Sequence, residues 1–407
     1  MKMLNYREFI GDVVNENISG HSYFLPSYEE CRKIADEHDN FLFYEIIHEV
    51  DNYKISVFNY RLANWSHFET PIPSDPKIKA YELRGLTFVW NKDGTLYNRF
   101  LLMDKFFNID QVPDSAYSVV KNYKIKNIYN KEDGSVSSFI RLPNGEVKGR
   151  SKTSFVSDQA IEVQKIYDND LNIKRFVDFC MDNDIIPIFE FVSPTNRIVV
   201  PYSNTDLILL RLRDNNTGEY LDIDDYSVHL DGVTVAATEE TTLDDLISAK
   251  SVVEGKEGWI VQFDNGKMVK IKTDWYFSLH GLYTSQINRE NDVIKLILDE
   301  TIDDVIPQLE EVKRKEIEEM IDIVNSEINY IFNELNLLLK SWNGDRKEFA
   351  LENRKHPLFS VAMSVIDGKS RLDSIKDMIR TKTRNLQPAK EWIKNAKNRK
   401  NIFKTNL

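Results

Sequence analysis

The sequence predicts an α+β fold in which an antiparallel-sheet domain, residues 1–280, precedes an all-helical domain, residues 281–407. Three observations support this division. The chain of 407 residues exceeds the usual size of one domain. Up to about His280, short apolar segments are separated by tight turns, which is typical of strands. Beyond Gly281, apolar residues recur at helical spacing among charged ones.

Two turn signals justify the sheets of the first domain. The segment Gly85–Trp90 leads into Asn91–Gly94, and Val261–Phe263 leads into Asp264–Gly266; both turns have the residues that β-hairpins prefer. The run Ile185–Val192 is apolar and short, so it predicts a buried strand.

The helical domain is predicted from apolar spacing and has an uneven charge. Arg371–Arg380 can form an amphipathic helix with Ile375 and Ile379 inward. Carboxylates dominate from Asp292 to Glu334, whereas the segment from Lys369 to Lys404 holds twelve Lys/Arg and three acidic residues. On charge alone, this basic segment is a solvated surface.

Composition narrows the class of protein. Hydrophobic residues make up 42% and charged residues 29%, which excludes a disordered or fibrous chain. The net charge of −12 argues against a surface coated in cations but allows a local basic groove. Without a signal-like or membrane-length apolar run, we expect a cytoplasmic protein with no membrane partner. Cys31 and Cys180 cannot form a disulfide framework, and no zinc-site spacing is present.

The segment Lys131–Ser135 (KEDGS) carries the first candidate for chemistry. Alternating segments flank it, so it should be a loop between strands. A lysine amine can attack phosphorus when it is neutral, and burial or nearby cations favour that form. Gly134 would allow close approach of the backbone to a ligand. On these residues alone, a charged surface turn is the simpler interpretation.

The order of further motifs reverses that interpretation. They are Tyr81–Gly85 (YELRG), Lys105–Asn108 (KFFN), Arg150–Lys152 (RSK), Phe189–Val192 (FEFV), Pro194–Val199 (PTNRIV), Glu257–Ile260 (EGWI) and Val269–Tyr276 (VKIKTDWY). Together with KEDGS they resemble the phage T4 RNA ligase 1 family of the covalent nucleotidyltransferase superfamily, over most of residues 50–305. The chain departs from the family at Thr153 and Trp259, and neither change removes a charge or the nucleophile.

The resemblance implies an adenylation domain, ATP as co-substrate, Mg²⁺, and an RNA substrate. Lys131 would attack ATP, AMP would pass from the lysine to an RNA 5′-phosphate, and the RNA 3′-hydroxyl would then displace AMP. The family also suggests tRNA broken at the anticodon loop as the substrate, in repair by a bacteriophage. The helical domain would then select the RNA, and its basic segment becomes comparably suited to gripping an RNA backbone.

Five cations of the motifs suit a triphosphate, whose charge must be offset before a nucleophile approaches. They are Arg84, Lys105, Lys152, Lys270 and Lys272. Lys270 and Lys272 have the spacing of one strand face. The turn at Asn265–Gly266 should place that strand beside the one after Glu257, which brings the carboxylate and the lysines together.

The carboxylates among the motifs have more than one possible role. Glu190 interrupts an apolar strand and needs a partner, either a buried salt bridge or, as the resemblance implies, the nucleotide ribose. The resemblance associates Glu257 with the α-phosphate and a divalent metal. It also implies that Asp303, in an acidic pair, helps hold Mg²⁺ through water, although Asp303 equally suits a helix N-terminus.

Three aromatic residues complete the candidates, each with core packing as the alternative. Phe107 follows Lys105 and could stack near the nucleotide. Tyr276 matches a functional position of the family. Phe58 occupies the place of a family segment near the nucleotide but departs from it in detail.

Other functions remain open on the sequence. A GTP-dependent RNA capping enzyme shares the KxDG chemistry. A DNA ligase should end in a β-barrel domain, where helices are predicted here. A non-catalytic RNA-binding protein would not need the complete set of motif lysines.

Overall fold

The turn and strand signals of the first half build three sheets. The structure is a computed structural model that describes residues 23–405 except 62, 195–198, 280–288, 303–305 and 307–310. Two compact units divide between Phe277 and Ser278. The strands of the first unit are β1 (Phe43–Val50), β2 (Tyr53–Tyr60), β3 (Leu86–Trp90), β4 (Leu96–Phe100), β5 (Phe107–Asn108), β6 (Ile125–Lys131), β7 (Ser135–Arg141), β8 (Val147–Ser151), β9 (Ile185–Val192), β10 (Asp206–Asp214), β11 (Tyr220–Leu221), β12 (Gly258–Phe263) and β13 (Met268–Lys272).

Helices fill the connections between these strands. They are α1 (Tyr28–Glu37), α2 (Trp65–Glu69), α3 (Tyr117–Val120), α4 (Asp158–Asn169), α5 (Leu171–Asp182), α6 (Leu243–Ala249) and α7 (Asp274–Leu279), with 3₁₀ turns at Pro113–Ser115 and Ile223–His229. Cys31 of α1 and Cys180 of α5 are buried free thiols, as their isolation in the sequence predicts.

The sheets are antiparallel except at one short pairing. The first sheet has the order β1-β2-β3-β4, the second β11-β10-β9-β7-β8, and the third β5-β13-β12-β6. Only β5 pairs in parallel among these strands, with β13. Both predicted hairpins are confirmed, since β3 pairs with β4 and β12 with β13 in antiparallel register.

The buried strand predicted at Ile185–Val192 is confirmed as β9. Each of its residues is buried, and it lies between β7 and β10 near the middle of the second sheet. A strand covered on both faces needs a continuous apolar run, which explains its composition. The exception is Glu190, a carboxylate held inside the first unit.

The KEDGS segment crosses from one sheet to another. β6 of the third sheet ends at Lys131, and β7 of the second sheet begins at Ser135. The predicted loop between two strands is confirmed for residues 132–134, whereas Lys131 and Ser135 are the terminal residues of the flanking strands. Because its two flanking strands belong to different sheets, the loop places Lys131 where the second and third sheets approach one another.

The described part of the second unit is helical, as predicted, and the α+β fold class is confirmed. Its helices are α8 (Glu290–Leu298), α9 (Glu311–Leu339), α10 (Arg346–Asn353), α11 (Phe359–Ile366), α12 (Arg371–Lys382) and α13 (Leu386–Thr405). Ile375 and Ile379 of α12 are fully buried, in agreement with the predicted amphipathic face. Among the residues described, no helix has the length and apolar character to cross a membrane.

Candidate active site

A cavity of about 450 Å³ is lined by residues of the second and third sheets. Lys131, Ile260 and Lys270 come from the third sheet, and Glu190 and Leu210 from the second. Among the described residues, five cations and two carboxylates line the cavity: Arg84, Lys131, Lys152, Arg211 and Lys270, and Glu132 and Glu190. The excess of positive charge suits a polyanionic ligand.

Lys131 is held by an ion pair at the cavity wall. Its Nζ atom lies 2.7 Å from Oε2 of Glu257, and Oε1 of Glu257 lies 3.1 Å from Nζ of Lys272. The strand register explains this cluster, because Gly258 pairs with Lys131 of β6 on one side and with Lys272 of β13 on the other. The hairpin thus brings Glu257 to Lys272, as the sequence predicts, whereas the second partner of Glu257 is Lys131 and the predicted Lys270 instead lines the cavity.

Arg84 and Lys152 line the same cavity because the segments that carry them pack closely together at Gly85, which has no side chain. Gly85 has a φ of +88°, and a Cβ there would lie 2.5 Å from the carbonyl oxygen of Lys152. The fully buried Arg150 donates hydrogen bonds to the carbonyl of Gly85 and the hydroxyl of Thr87. Burial alone lowers the pKa of Arg150 to about 9. Arg150 therefore ties together the segments that carry the two cavity cations.

Lys105 lies in a neighbouring cavity of about 310 Å³ rather than in the first cavity. Its Nζ is 5.1 Å from the centre of the Tyr60 ring, and Nζ of Lys152 is 5.9 Å from the same ring. Burial raises the pKa of Tyr60, but the charges of Lys105, Arg84 and Lys152 outweigh burial and lower it overall. Tyr60 thus marks a region of concentrated positive charge. The sequence interpretation singled out Phe58 in this segment.

Glu190 finds its partner in the loop after Lys131. Its Oε1 accepts a hydrogen bond of 3.0 Å from the backbone N–H of Gly134. Burial raises the pKa of Glu190 to about 7, against the opposing charge of Lys131 and with a further increase from Glu257. Among the residues described, no cation lies within ion-pair distance of Glu190, so the buried salt bridge considered from the sequence is not formed.

Gly134 is required by a close contact with the neighbouring strand. A Cβ at this position would lie 2.3 Å from the carbonyl oxygen of Phe191 in β9. The sequence interpretation expected the small residue to admit a ligand. In this structure, its smallness lets the loop sit directly on β9 and donate to Glu190.

Tyr276 acts on the same loop from outside the cavity. Its hydroxyl donates a hydrogen bond of 2.9 Å to Oδ1 of Asp133. Oδ2 of Asp133 accepts bonds of 2.7 Å from the backbone N–H groups of Val199 and Val200. Since Asp133 is buried, these bonds fix the loop that follows Lys131. Tyr276 therefore positions the loop and does not line the first cavity.

Phe58 does not line the first cavity either. Its side chain is fully buried and packs edge-on against Tyr28 and Phe88, with ring centres 5.6 and 5.8 Å apart. The reason is its place inside β2, where it contributes to the core of the first sheet.

Phe106, and not the predicted Phe107, reaches the first cavity. Phe107 is buried with its ring 6.0 Å from that of Phe68 and lines the neighbouring cavity. Phe106 lines both cavities, and Nζ of Lys270 lies 4.7 Å from the centre of its ring. Adjacent aromatic residues cannot be told apart by composition, which explains the difference.

Arg211 is a cavity residue that the sequence interpretation missed. It is 2% exposed, and its guanidinium carbon lies 3.3 Å from the centre of the Tyr129 ring. The sequence could have revealed it, because Arg211 is a charged residue inside the apolar strand segment LILLRLRD (residues 207–214), just as Glu190 is a charged residue inside an apolar strand. A register shift between Leu209 and Arg211 adds a local irregularity that the sequence does not reveal.

The described side chains do not form a metal site by themselves. Among them there is no cluster of three or more His, Cys, Asp or Glu suited to a metal ion. Both carboxylate oxygens of Glu257 already face ammonium groups, those of Lys131 and Lys272. Asp303, the other metal residue predicted from the sequence, lies outside the described residues.

Comparison with known proteins agrees with the resemblance seen in the sequence. A family model described as RNA ligase matches residues 82–279. A curated protein of Thermovibrio ammonificans named "Putative RNA ligase" is 26% identical over 297 residues, which cover 70% of this chain and 74% of that protein. The resemblance to RNA ligases is thereby confirmed.

Solved structures of RNA ligases are also similar, at a lower level. The archaeal ATP-dependent RNA ligase, form 1, has a TM-score of 0.43 and 12% identity, covering 82% of this chain and 91% of that one. The Naegleria gruberi RNA ligase with PPi has a TM-score of 0.32 and 11% identity, covering 40% of this chain and 53% of that one. This chain thus spans about half the length of the Naegleria protein.

Proposed function

We propose that this chain is an ATP-dependent RNA ligase that works through AMP bound covalently to Lys131. The premise is the match of residues 82–279 to the family model described as RNA ligase, together with the similarity to a curated RNA ligase. The observation that carries this proposal is the placement of Lys131. Its amine lies at the wall of a cavity lined by five cations, within an ion pair to Glu257. A nucleophile at the wall of a cationic cavity of about 450 Å³ is the arrangement that nucleotidyl transfer requires.

The first step forms the lysyl-AMP. Lys131 attacks as the neutral amine, so an ammonium group paired with Glu257 must first release a proton. The Nζ lone pair then forms a bond to the α-phosphorus, the bond from the α-phosphorus to the β-phosphate oxygen breaks, and pyrophosphate leaves. Arg84, Lys152 and Lys270 are proposed to offset the charge of the phosphates, with Lys105 contributing from the adjacent cavity.

The next two steps move AMP and then seal the RNA. An oxygen of the RNA 5′-phosphate bonds to the α-phosphorus, the P–N bond breaks, and Lys131 takes up a proton. The RNA 3′-hydroxyl then attacks the 5′-phosphate, forms the phosphodiester and expels AMP. Dividing one difficult substitution into separate displacements keeps the phosphate activated between them.

Glu190 and Glu257 have different proposed roles in these steps. Glu190 faces the cavity and is proposed to contact the ribose, with the Gly134 N–H holding its carboxyl group. Glu257 positions Lys131 and Lys272. Magnesium would offset phosphate charge, and because its preferred ligands are phosphate oxygens and water, we propose that it arrives with ATP.

The RNA substrate is proposed to be a structured RNA with a 5′-phosphate and a 3′-hydroxyl at a break, such as tRNA cut in the anticodon loop. Repair of that break would occur in the cytoplasm of an infected cell if a bacteriophage encodes the chain. Both statements rest on analogy with the family. A sealing assay that compares nicked tRNA with a linear RNA of the same ends would test the substrate.

Covalent labelling tests the proposed function against the capping alternative. The full chain is incubated with Mg²⁺ and either α-labelled ATP or α-labelled GTP, and the protein is separated under denaturing conditions. We expect label from ATP. Label from GTP alone would indicate a capping enzyme, and no label from either nucleotide would favour a non-catalytic RNA-binding protein. Sealing of DNA ends but not RNA ends would favour a DNA ligase.

A further inference from the structure

Arg211 is a buried cation on the wall of the first cavity. Among the described residues, no carboxylate lies within ion-pair distance of it; one terminal N–H group donates to the carbonyl of Leu210, and Nε has no hydrogen-bond acceptor. Its neighbour in β10, Arg213, differs sharply, because two hydrogen bonds of 2.8 and 2.6 Å join its guanidinium group to Glu82. Arg213 is therefore explained by the fold, and Arg211 is not.

Burying an arginine without an anion is unfavourable. Burial lowers the pKa of Arg211 to about 10, far above neutral pH, so the group stays charged. Stacking on Tyr129 offsets part of the lost hydration, since aromatic faces attract cations. The unused Nε donor remains a cost. Because Nε itself is buried, a ligand in the cavity would meet the guanidinium group through its terminal N–H groups.

The surroundings of Arg211 indicate which part of a nucleotide it would meet. Leu210 and Val136 of the second sheet and Ile260 of the third sheet give the cavity apolar walls. Ile260 pairs in register with Tyr129, the residue on which Arg211 stacks. Arg211 is thus placed with these apolar walls, which suit the flat faces of a nucleobase.

The phosphates belong to another part of the site. The charges acting on Tyr60 are those of Lys105, Arg84 and Lys152. The charges acting on Tyr129 are those of Arg211, Asp222 and Asp224. A triphosphate favours the region around Tyr60, because the ammonium groups of Lys105 and Lys152 lie 5.1 and 5.9 Å from the centre of that ring. With the triphosphate in that region, the nucleobase would occupy the end of the cavity that contains Arg211.

We propose that Arg211 is a specificity residue whose guanidinium group donates a hydrogen bond to an unprotonated ring nitrogen of the purine base. A guanidinium group has five N–H donors and no acceptor, so it can bind only acceptor atoms of the base edge. Each purine ring nitrogen N1, N3 and N7 of adenine is such an atom. This inference rests on the proposed function, because it concerns the base of the nucleotide that reacts with Lys131.

Deaza analogues of ATP combined with an Arg211 variant test the contact. The rate of lysyl-AMP formation is measured with ATP, 1-deaza-ATP, 3-deaza-ATP and 7-deaza-ATP for the parent chain and for Arg211→Met. We expect one analogue to react about tenfold or more slowly than ATP in the parent chain, because a hydrogen bond to a charged group is lost. The Met variant should lose a similar factor with ATP and should no longer distinguish that analogue from ATP.

Two outcomes overturn the inference. In the first, the parent chain uses all three analogues as well as it uses ATP, which needs no variant and so does not depend on folding. In the second, the slow analogue is slowed by the same factor in Arg211→Met. Arg211→Lys, which keeps the charge but not the planar fork, should also lose the discrimination. Absence of any lysyl-AMP from ATP in the parent chain would instead overturn the proposed function.

Lys148 provides a matched control outside the site. It is a cation of β8 whose ammonium group pairs with Asp51 at 2.6 Å and with Glu146 at 3.0 Å. Lys148→Met should keep both the rate with ATP and the analogue selectivity of the parent chain. An equal change of selectivity in this variant would show that removal of any cation has the effect, and would contradict a contact by Arg211.

Discussion

The cations of the first unit and those of helix α13 have opposite surroundings. In the described part of the first unit, five cations and two carboxylates line one cavity, and the charge is concentrated inward. Along α13, basic side chains are matched by acidic residues of other helices of their own unit. Nζ of Lys397 lies 2.6 Å from Glu319, and Arg399 forms two hydrogen bonds with the buried Glu327.

The pairing continues along the helix. Lys400 contacts Asp322 of α9, and Nζ of Lys390 lies 3.9 Å from Glu290 of α8. The acidic segment and the basic segment that look separate in the sequence are thus partners within one unit. A cluster of basic residues in a sequence therefore indicates a phosphate site only when the folded chain places more cations than carboxylates around one cavity. Where carboxylates pair with the basic residues, as along α13, the charges contribute to helix packing instead.

The largest difference between the two regions is expected at the nucleophile. Lys131→Ala should abolish lysyl-AMP formation because no other group replaces the attacking amine. It should still seal RNA that already carries a 5′-adenylate, since that step does not use the lysine. Labelling by α-labelled ATP and sealing of pre-adenylated RNA measure the two effects. Normal labelling of the variant would disprove the assignment.

Two cations of β13 should show the next largest effect. Lys270→Ala removes a cavity cation, and Lys272→Ala removes the second partner of Glu257. Each should slow lysyl-AMP formation by roughly a hundredfold, because loss of one oriented charge commonly costs a few kcal/mol in the barrier. Lys397→Ala removes a paired cation of α13 and should keep the parent rate. Parent rates in both β13 variants would mean that the phosphate site lies elsewhere.

Glu190 should make stability depend on pH in a direction opposite to that of a surface carboxylate. Its folded-state pKa of about 7 lies above the ordinary value of 4.5. The folded protein therefore keeps a proton that the unfolded chain releases, and the associated stability is present below about pH 4.5 and lost as pH rises through 7. The slope should approach about 1.4 kcal/mol per pH unit within this window.

Urea unfolding of the parent chain and of Glu190→Gln across that window measures the difference. The Gln variant should lose the slope because its amide does not titrate. Glu319 is the contrasting control, since Lys397 lowers its pKa, and Glu319→Gln should leave the slope of the parent chain in place. Identical pH dependence of the parent chain and Glu190→Gln would show that folding does not raise the pKa of Glu190.

The smallest effect is expected from the basic helix. Sequence alone left open whether Lys390, Lys394, Lys397 and Lys400 grip RNA, and three of these lysines pair with carboxylates in the structure. Changing all four to Ala should lower thermal stability slightly, because exposed pairs contribute little, and should leave lysyl-AMP formation unchanged. We expect the salt dependence of tRNA binding to stay close to that of the parent chain.

A flattened salt dependence would reverse this conclusion. Each lost phosphate contact should reduce the slope by roughly 0.7 log units for single-stranded RNA. A reduction of that size or more, with weaker sealing of tRNA than of a linear RNA, would show that these lysines exchange their carboxylate partners for RNA phosphates.

Strand and turn signals were sufficient to predict the local structure around the site. The hairpin at Asn265–Gly266 and the buried strand β9 follow from residue patterns, because each depends on neighbours in the chain. The approach of Glu257 to Lys272 follows from that hairpin, whereas the ion pair of Glu257 with Lys131 depends on the pairing of β12 with β6, which the sequence does not reveal. These features depend on residues that are close in the chain or on the pairing register of adjacent strands.

Contacts between sheets were not predictable in the same way. Phe106 and Phe107 are adjacent and chemically equal, so only their orientation decides which one reaches the cavity. Arg211 stacks on Tyr129 of another sheet, and no spacing in the sequence relates them. The paired charges of α9 and α13 likewise depend on how two distant helices pack. Tertiary packing, and not propensity, determined each of these differences.

The most direct test of the central claim is the mass of the peptide that contains Lys131. The full chain is incubated with ATP and Mg²⁺, digested, and analysed by fragmentation that locates the modification. The cationic cavity and the position of Lys131 in its wall predict a peptide heavier by one AMP, with the AMP on Nζ of Lys131. An unmodified Lys131 peptide, or AMP on one of the paired lysines of α13, would contradict the claim that the inward-facing cations are the catalytic ones.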